Sequence, residues 1–121
     1  MAQILLLDDD PVLCRVITLA LEAAGHRVQS HENARKGMQT LEQENPDLII
    51  TDIVMPEMDG LEILRKVRQL RPELPVLVIS GGGSFEPAGY LSVAQSFGAT
   101  AVLPKPFRPA ELVELVAKLV A

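Results

Sequence analysis

Cysteine is all but missing from the 121-residue chain: Cys14 stands alone, so no internal disulfide can form. Any run of eighteen apolar residues is missing too, as is a charged-then-apolar leader. That argues against a membrane-spanning helix or a secreted setting and makes a cytoplasmic one the expectation. Repeats and low-complexity tracts are absent as well. Positive charge is in short supply, with 11 basic residues against 16 acidic ones and a net charge of −5. Such a balance disfavours non-specific binding to nucleic acid or anionic membranes and suits a specific protein partner or a cation. With 48% hydrophobic residues there is material for one core and no room for two, so residues 1–121 are expected to form one domain.

The most informative stretch is Leu48-Ile49-Ile50-Thr51-Asp52-Ile53-Val54-Met55-Pro56-Glu57-Met58-Asp59-Gly60. Its apolar and β-branched start reads as a strand buried on both faces, as in parallel sheets. Asp52 closes that strand, and ligands in open α/β sheets bind just outside the carboxyl ends of the strands. Pro56 locks φ and disfavours helix at Met55, while Asp59 is placed to cap a helix from Gly60 or Leu61 to about Leu70.

The rest of the chain alternates in the same way. Ile4 to Leu7 form an apolar run stopped by Asp8-Asp9-Asp10, with Asp10 as helix cap and Pro11 as first helical residue. Leu13, Ile17, Ala20, Leu21 and Ala24 repeat at helical spacing up to Gly25. Val28 marks a short strand. Ala34, Met38 and Leu41 stripe a helix capped near Asn33 and ended by Asn45-Pro46. In the helix after Asp52 the inner face reads Ile63, Leu64, Val67 and Leu70, with Arg65, Lys66, Arg68 and Arg71 on the outside and in the last turn. Pro75 to Ser80 form a fourth buried strand. A loop with Gly81-Gly82-Gly83 and a weaker helix through Tyr90, Leu91, Ala94 and Phe97 follow. Ala101 to Leu103 make a fifth strand, and Leu112, Val116 and Leu119 stripe a last helix after Pro109. Five βα units predict a five-stranded parallel sheet with five helices covering both faces through right-handed crossovers.

The chemistry-bearing residues collect at the strand ends: Asp8 and Asp9, then Asp52, Ser80 and Lys105. Three neighbouring carboxylates repel unless a cation neutralises them, and oxygen-only ligands favour Mg²⁺, Mn²⁺ or Ca²⁺ over zinc. Mg²⁺ keeps water and phosphate oxygens in its shell, which points to phosphoryl chemistry, and a carboxylate can itself be the nucleophile. Lys105 would then neutralise one phosphoryl oxygen, and the Ser80 hydroxyl would hydrogen-bond another. Proline on both sides holds Lys105 rigidly, with a cis bond expected before Pro106.

Taken together, Asp8-Asp9 after an apolar strand, Asp52 with Met55-Pro56-Glu57-Met58-Asp59-Gly60, Ser80-Gly81 and Lys105-Pro106-Phe107 resemble a response-regulator receiver domain over the whole chain. The resemblance implies a flavodoxin-like, doubly wound sheet of order 2-1-3-4-5, an order the family itself exemplifies. It implies that Asp52 accepts phosphate from a phosphohistidine on a sensor histidine kinase or phosphotransfer protein and passes the signal to a downstream protein target. It also implies that Asp9 and Asp52 bind Mg²⁺ directly, Asp8 through water and Val54 through its backbone carbonyl. Such a domain catalyses only its own phosphorylation and dephosphorylation. Two positions depart from the pattern. Val102 stands where many receivers carry an aromatic residue that turns inward on activation. Val54 and Gly82 have no side chain able to orient a hydrolytic water.

Other readings compete. Leu5-Leu6-Leu7-Asp8-Asp9-Asp10-Pro11-Val12 also resembles the haloacid-dehalogenase phosphatase motif, with Asp8 as nucleophile and Asp10 as acid/base. A degenerate receiver acting only as a docking module is the third class. Asp8-Asp9-Asp10 could serve only as a helix cap, and the Gly81–Gly83 run, lacking a following Lys-Ser/Thr, reads as a loop. His26 and His31 read as surface residues without partners, and Cys14 as a half-buried thiol. Because the last helix completes the fold, a stand-alone signalling shuttle is expected, with its output through Gly81 to Gly89, Phe85 and Tyr90.

Overall fold

The computed structural model describes residues 1–52, 60–80 and 98–121, with the backbone alone for Gly60 and Ser80. The strands are β1 (Gln3–Leu7), β2 (Arg27–His31), β3 (Leu48–Asp52), β4 (Val76–Ser80) and β5 (Ala101–Pro104). Between and after them lie α1 (Pro11–Ala23), α2 (Ala34–Gln43), α3 (Gly60–Leu70) and α4 (Pro109–Leu119). All strand pairs are parallel, in the order β2-β1-β3-β4-β5. Four helices are thus seen among the described residues. The expected helix through Tyr90 and Phe97, the Asp59 cap, the Val54 carbonyl and the Gly81–Gly89 loop lie outside them.

The sheet separates two cores because successive strand residues point to opposite faces. On one face Leu5, Leu7, Ile49, Val76 and Val78 pack with Ala34, Met38 and Leu41 of α2 and with Ile63, Leu64 and Val67 of α3. On the other, Ile4, Leu6, Leu48, Ile50, Leu77 and Ile79 pack with Cys14, Ile17 and Leu21 of α1 and with Leu112 and Val116 of α4. β3 is buried along its whole length. Gly37 lets α2 approach β1 closely, since a Cβ there would collide with the Leu7 side chain.

The helix starts follow the sequence. Asp10 Oδ1 accepts from the Val12 and Leu13 amides at 3.0 and 3.2 Å, and Asn33 Oδ1 from Arg35 and Lys36 at 2.8 and 3.3 Å. Gly25, at φ +95°, follows the α1 C-cap in the left-handed conformation that glycine takes without strain. Several side-chain expectations need correction. Ala24 is exposed, because it is the cap and no longer part of the stripe. Leu70 is 41% exposed at the end of α3. Cys14 is buried, not half-buried. His26 and His31 both have partners: His26 Nδ1 accepts from the Ala2 amide at 3.1 Å, and His31 Nε2 lies 3.0 Å from Thr40 Oγ1.

Arg68 and Arg71 also differ from the solvent-facing role their helix positions suggest. Arg71 Nη2 donates to the Leu41 and Glu44 carbonyls and to Asn45 Oδ1, tying α3 to the end of α2. Arg68 reaches the Leu74 carbonyl at 2.6 Å and the Gly98 carbonyl at 2.6 and 2.9 Å. Helix ends leave carbonyls without intrahelical partners, and these guanidiniums supply donors to that layer.

Candidate functional site

Parallel register brings the strand ends level: Leu7 pairs with Thr51, Thr51 with Val78, and Asp52 with Ile79. The residue after β1 and the last residue of β3 are therefore neighbours at one edge of the sheet. Asp8, Asp9 and Asp52 each offer a carboxylate oxygen there, all within 4.8 Å of one another. Asp8 is fully buried, Asp52 is 5% exposed, and Asp9 faces solvent. Lys105, just past β5, sets its Nζ 3.1 Å from Asp8 Oδ2 and 3.1 Å from Asp52 Oδ2. The peptide bond that follows it, Lys105–Pro106, is cis.

Backbone and side-chain contacts fix this constellation. The Asp8 amide donates to the His31 carbonyl at 3.2 Å, and Asp8 Oδ1 accepts from the Asp10 amide at 2.8 Å. Cys14 Sγ donates to the Asp8 carbonyl at 3.2 Å, so the thiol belongs to the underside of the site. The Thr51 hydroxyl donates to the Asp52 carbonyl at 2.9 Å. Ser80 sits in register with Pro104 at the end of β4, and its side chain is outside the described residues.

Electrostatics follow from burial. Removal from water raises the Asp8 carboxyl above its ordinary value, and the nearby Asp52 charge adds to the rise, against the Asp10 amide and Lys105. Burial alone would lower the Lys105 amine, yet the two carboxylates outweigh it and the net shift is upward. Burial, reinforced by Asp8, pushes the Cys14 thiol up to about 12. The site holds three carboxylates, two of them desolvated, around one cation. An all-oxygen donor set of this kind fits a hard divalent ion such as Mg²⁺, with the Lys105 ammonium already marking where positive charge is favoured.

The sequence located Asp8, Asp9, Asp52 and Lys105, and the structure brings these four together. It gave no hint that Lys105 pairs with Asp8 as well as Asp52, or that Cys14 touches the site. The Lys105–Asp8 contact depends on how strands 97 residues apart line up, and the Cys14–Asp8 contact on how α1 folds back over the end of β1. Val102 is half-buried against the core on the α2 and α3 face. Asp10, which the phosphatase reading needs as acid/base, is committed to capping α1.

Fold and site together define an α/β domain of this strand order with an acidic cluster and a lysine at its strand ends. Residues 4–117 match the response regulator receiver domain family, and the chain is a member of it. It is 36% identical to the response regulator receiver protein CpdR of Brucella abortus, covering 98% of this chain and 97% of that protein. It is also 36% identical to the DNA-binding transcriptional regulator NtrC of Rhizobium meliloti over 99% of this chain but only 24% of the regulator, so it spans about a quarter of such relatives. Among solved structures, a response regulator from Chloroflexus aurantiacus superposes with a TM-score of 0.90 at 30% identity, covering 98% of this chain and 97% of that one. The chemotaxis response regulator CheY4 of Vibrio cholerae superposes at 0.88 with 26% identity, covering 98% of each chain. The protein is a phosphoacceptor signalling domain of the two-component type.

Proposed function

We propose that residues 1–121 form one receiver domain in which Asp52 is the phosphoacceptor. The observation that carries this reading is the position of Asp52: it ends the fully buried central strand, with its Oδ2 3.1 Å from the Lys105 ammonium and the Asp8 and Asp9 carboxylates beside it. A carboxylate oxygen of Asp52 attacks the phosphorus of a phosphohistidine on a sensor kinase or phosphotransfer protein. The O–P bond forms as the N–P bond breaks, and the electron pair returns to the imidazole of the donor. Lys105 holds one phosphoryl oxygen by a charge-assisted hydrogen bond, and Ser80 donates to another.

Asp9 and Asp52 would hold Mg²⁺ directly and Asp8 through water, with the Val54 carbonyl as a backbone ligand. Mg²⁺ held there would supply charge neutralisation for the phosphoryl oxygens. The chain acts in the cytoplasm, turns over nothing but its own acyl phosphate, and presents a changed surface to a downstream protein target. No helix of the described residues is long and apolar enough to cross a membrane. The deficit of positive charge favours protein partners over nucleic acid.

Incubation with acetyl phosphate and Mg²⁺, followed by reductive trapping and peptide mass spectrometry, tests the assignment. Label on Asp52 is expected, and Asp52→Ala should abolish it. Label on Asp8 would favour the phosphatase chemistry, and absence of label in the wild type would leave a docking module.

A further inference from the structure

We propose that Arg68 is a positioning residue for Lys105: by holding the base of the edge strand β5, it sets where the other end of that strand delivers the amine. Among the described residues β5 pairs with β4 alone, and Ala101, Val102 and Leu103 are only half-buried, so packing restrains it less than the central strands. Its base is restrained by a joint among three elements. Arg68 Nε and Nη2 donate to the Gly98 carbonyl, Nη2 also reaches Thr100 Oγ1 at 3.3 Å, and Nη1 donates to Leu74 in the turn before β4. Thr100 then locks to β4, its amide donating to the Val76 carbonyl at 2.8 Å and its Oγ1 accepting from the Val76 amide at 3.0 Å. Gly98 makes the approach possible. It has φ +105°, and a Cβ there would lie 2.9 Å from Arg68 Nε.

Lever length makes the base matter at the site. Thr100 and Lys105 lie about 16 Å apart along an extended chain, so a tilt of about 4° at the base moves the far end by about 1 Å. Lys105 bonds two carboxylates at 3.1 Å each, and a displacement of about 1 Å takes such contacts beyond hydrogen-bond range. Arg68 also donates to the Arg71 and Pro72 carbonyls, so a role confined to capping α3 is the competing explanation. Arg71 supplies the control, because its guanidinium ties α3 to α2 and not to β5.

The NMR signals of the Lys105 ε-methylene, with the exposed Lys36, Lys66 and Lys118 as references, read the contact directly. In Arg68→Ala and in Gly98→Ala the Lys105 signal should move toward those of the exposed lysines, while Arg71→Ala leaves it in place. Labelling by acetyl phosphate should slow by roughly three- to tenfold in the first two variants, as expected for coupled residues. If Arg68→Ala does not fold, Gly98→Ala decides, since it keeps the guanidinium and displaces its seat, both by the added Cβ and by the cost of alanine at φ +105°. An unmoved Lys105 signal in the folded variants, or an equal shift in Arg71→Ala, overturns the inference. The kinetic part rests on the proposed phosphoacceptor role. Failure of the wild type to label would overturn that role while leaving the NMR result to stand alone.

Discussion

Lys105 and Asp8 are 97 residues apart in sequence, yet the lysine Nζ stands 3.1 Å from Asp8 Oδ2, and Asp8 is sealed from solvent. The same amine reaches Asp52, so one side chain serves as the internal counter-ion of the acidic cluster. A buried pair that loses one partner leaves an uncompensated charge, which costs about 3 kcal/mol or more. Lys105→Ala should therefore lower the stability of the metal-free domain by that order, read by urea titration. Added Mg²⁺ should recover much of the loss.

In the wild type, Mg²⁺ should raise stability by about 2.7 kcal/mol at a concentration about 100 times its dissociation constant, because it binds only the folded cluster. Thermal melts with and without Mg²⁺ check this. A melting temperature that does not respond to the metal rules out the ion site. Asp9→Asn should weaken the response and raise stability in the metal-free form by easing repulsion among the three carboxylates.

The Asp8 carboxyl titrates above its ordinary 3.8 because burial penalises the anion, so the folded chain holds this proton more tightly than the unfolded one. Its contribution to stability is fully present below pH 3.8 and is lost as pH rises through the raised value. Asp8→Asn should flatten the stability curve across that window and leave the metal-free variant more stable than the wild type at neutral pH. Lys105 is raised above 10.5, so its contribution persists up to that pH and falls away above it. Urea titrations over a pH series measure both.

Gly37→Ala should destabilise the domain by about 1–2 kcal/mol, since overpacking against Leu7 outweighs the gain in helix propensity. Leu7 precedes Asp8, so the amide signals of Asp8 and Asp9 should shift as well. Stability loss without those shifts would mean that α2 alone absorbs the extra methyl group.

Cys14 should resist alkylation by iodoacetamide at pH 8 in the folded protein and react once unfolded. The residue is 5% exposed, its thiol is pushed up to about 12, and the thiolate is the reactive form. Rapid modification of the native chain would mean that α1 opens away from the site.

Sequence pattern located the elements that depend on local rules. The Asp10 and Asn33 caps, the Gly25 stop and the wholly buried β3 follow from side-chain chemistry and periodicity within a few residues. Asp8, Asp9, Asp52 and Lys105 were legible because each follows or closes an apolar strand, and parallel strands gather their ends. What was not legible depends on distance in the chain. Helical periodicity put Arg68 outside and Leu70 inside, whereas the carbonyls of Leu74 and Gly98 draw the arginine inward and the end of α3 leaves the leucine half in water. His26 and His31 likewise find partners, Ala2 and Thr40, that no spacing rule links to them.

Asp52 terminates the middle strand of five, walled on both sides by packed apolar layers. Such a strand is an anvil: a new charge at its tip finds no give beneath it. Accommodation then falls to the periphery, where the half-buried edge strand β5 leads into Lys105 beside that tip. Rigidity at the centre would thus send the effect of the phosphorylation proposed at Asp52 outward, toward the rim on the β5 side.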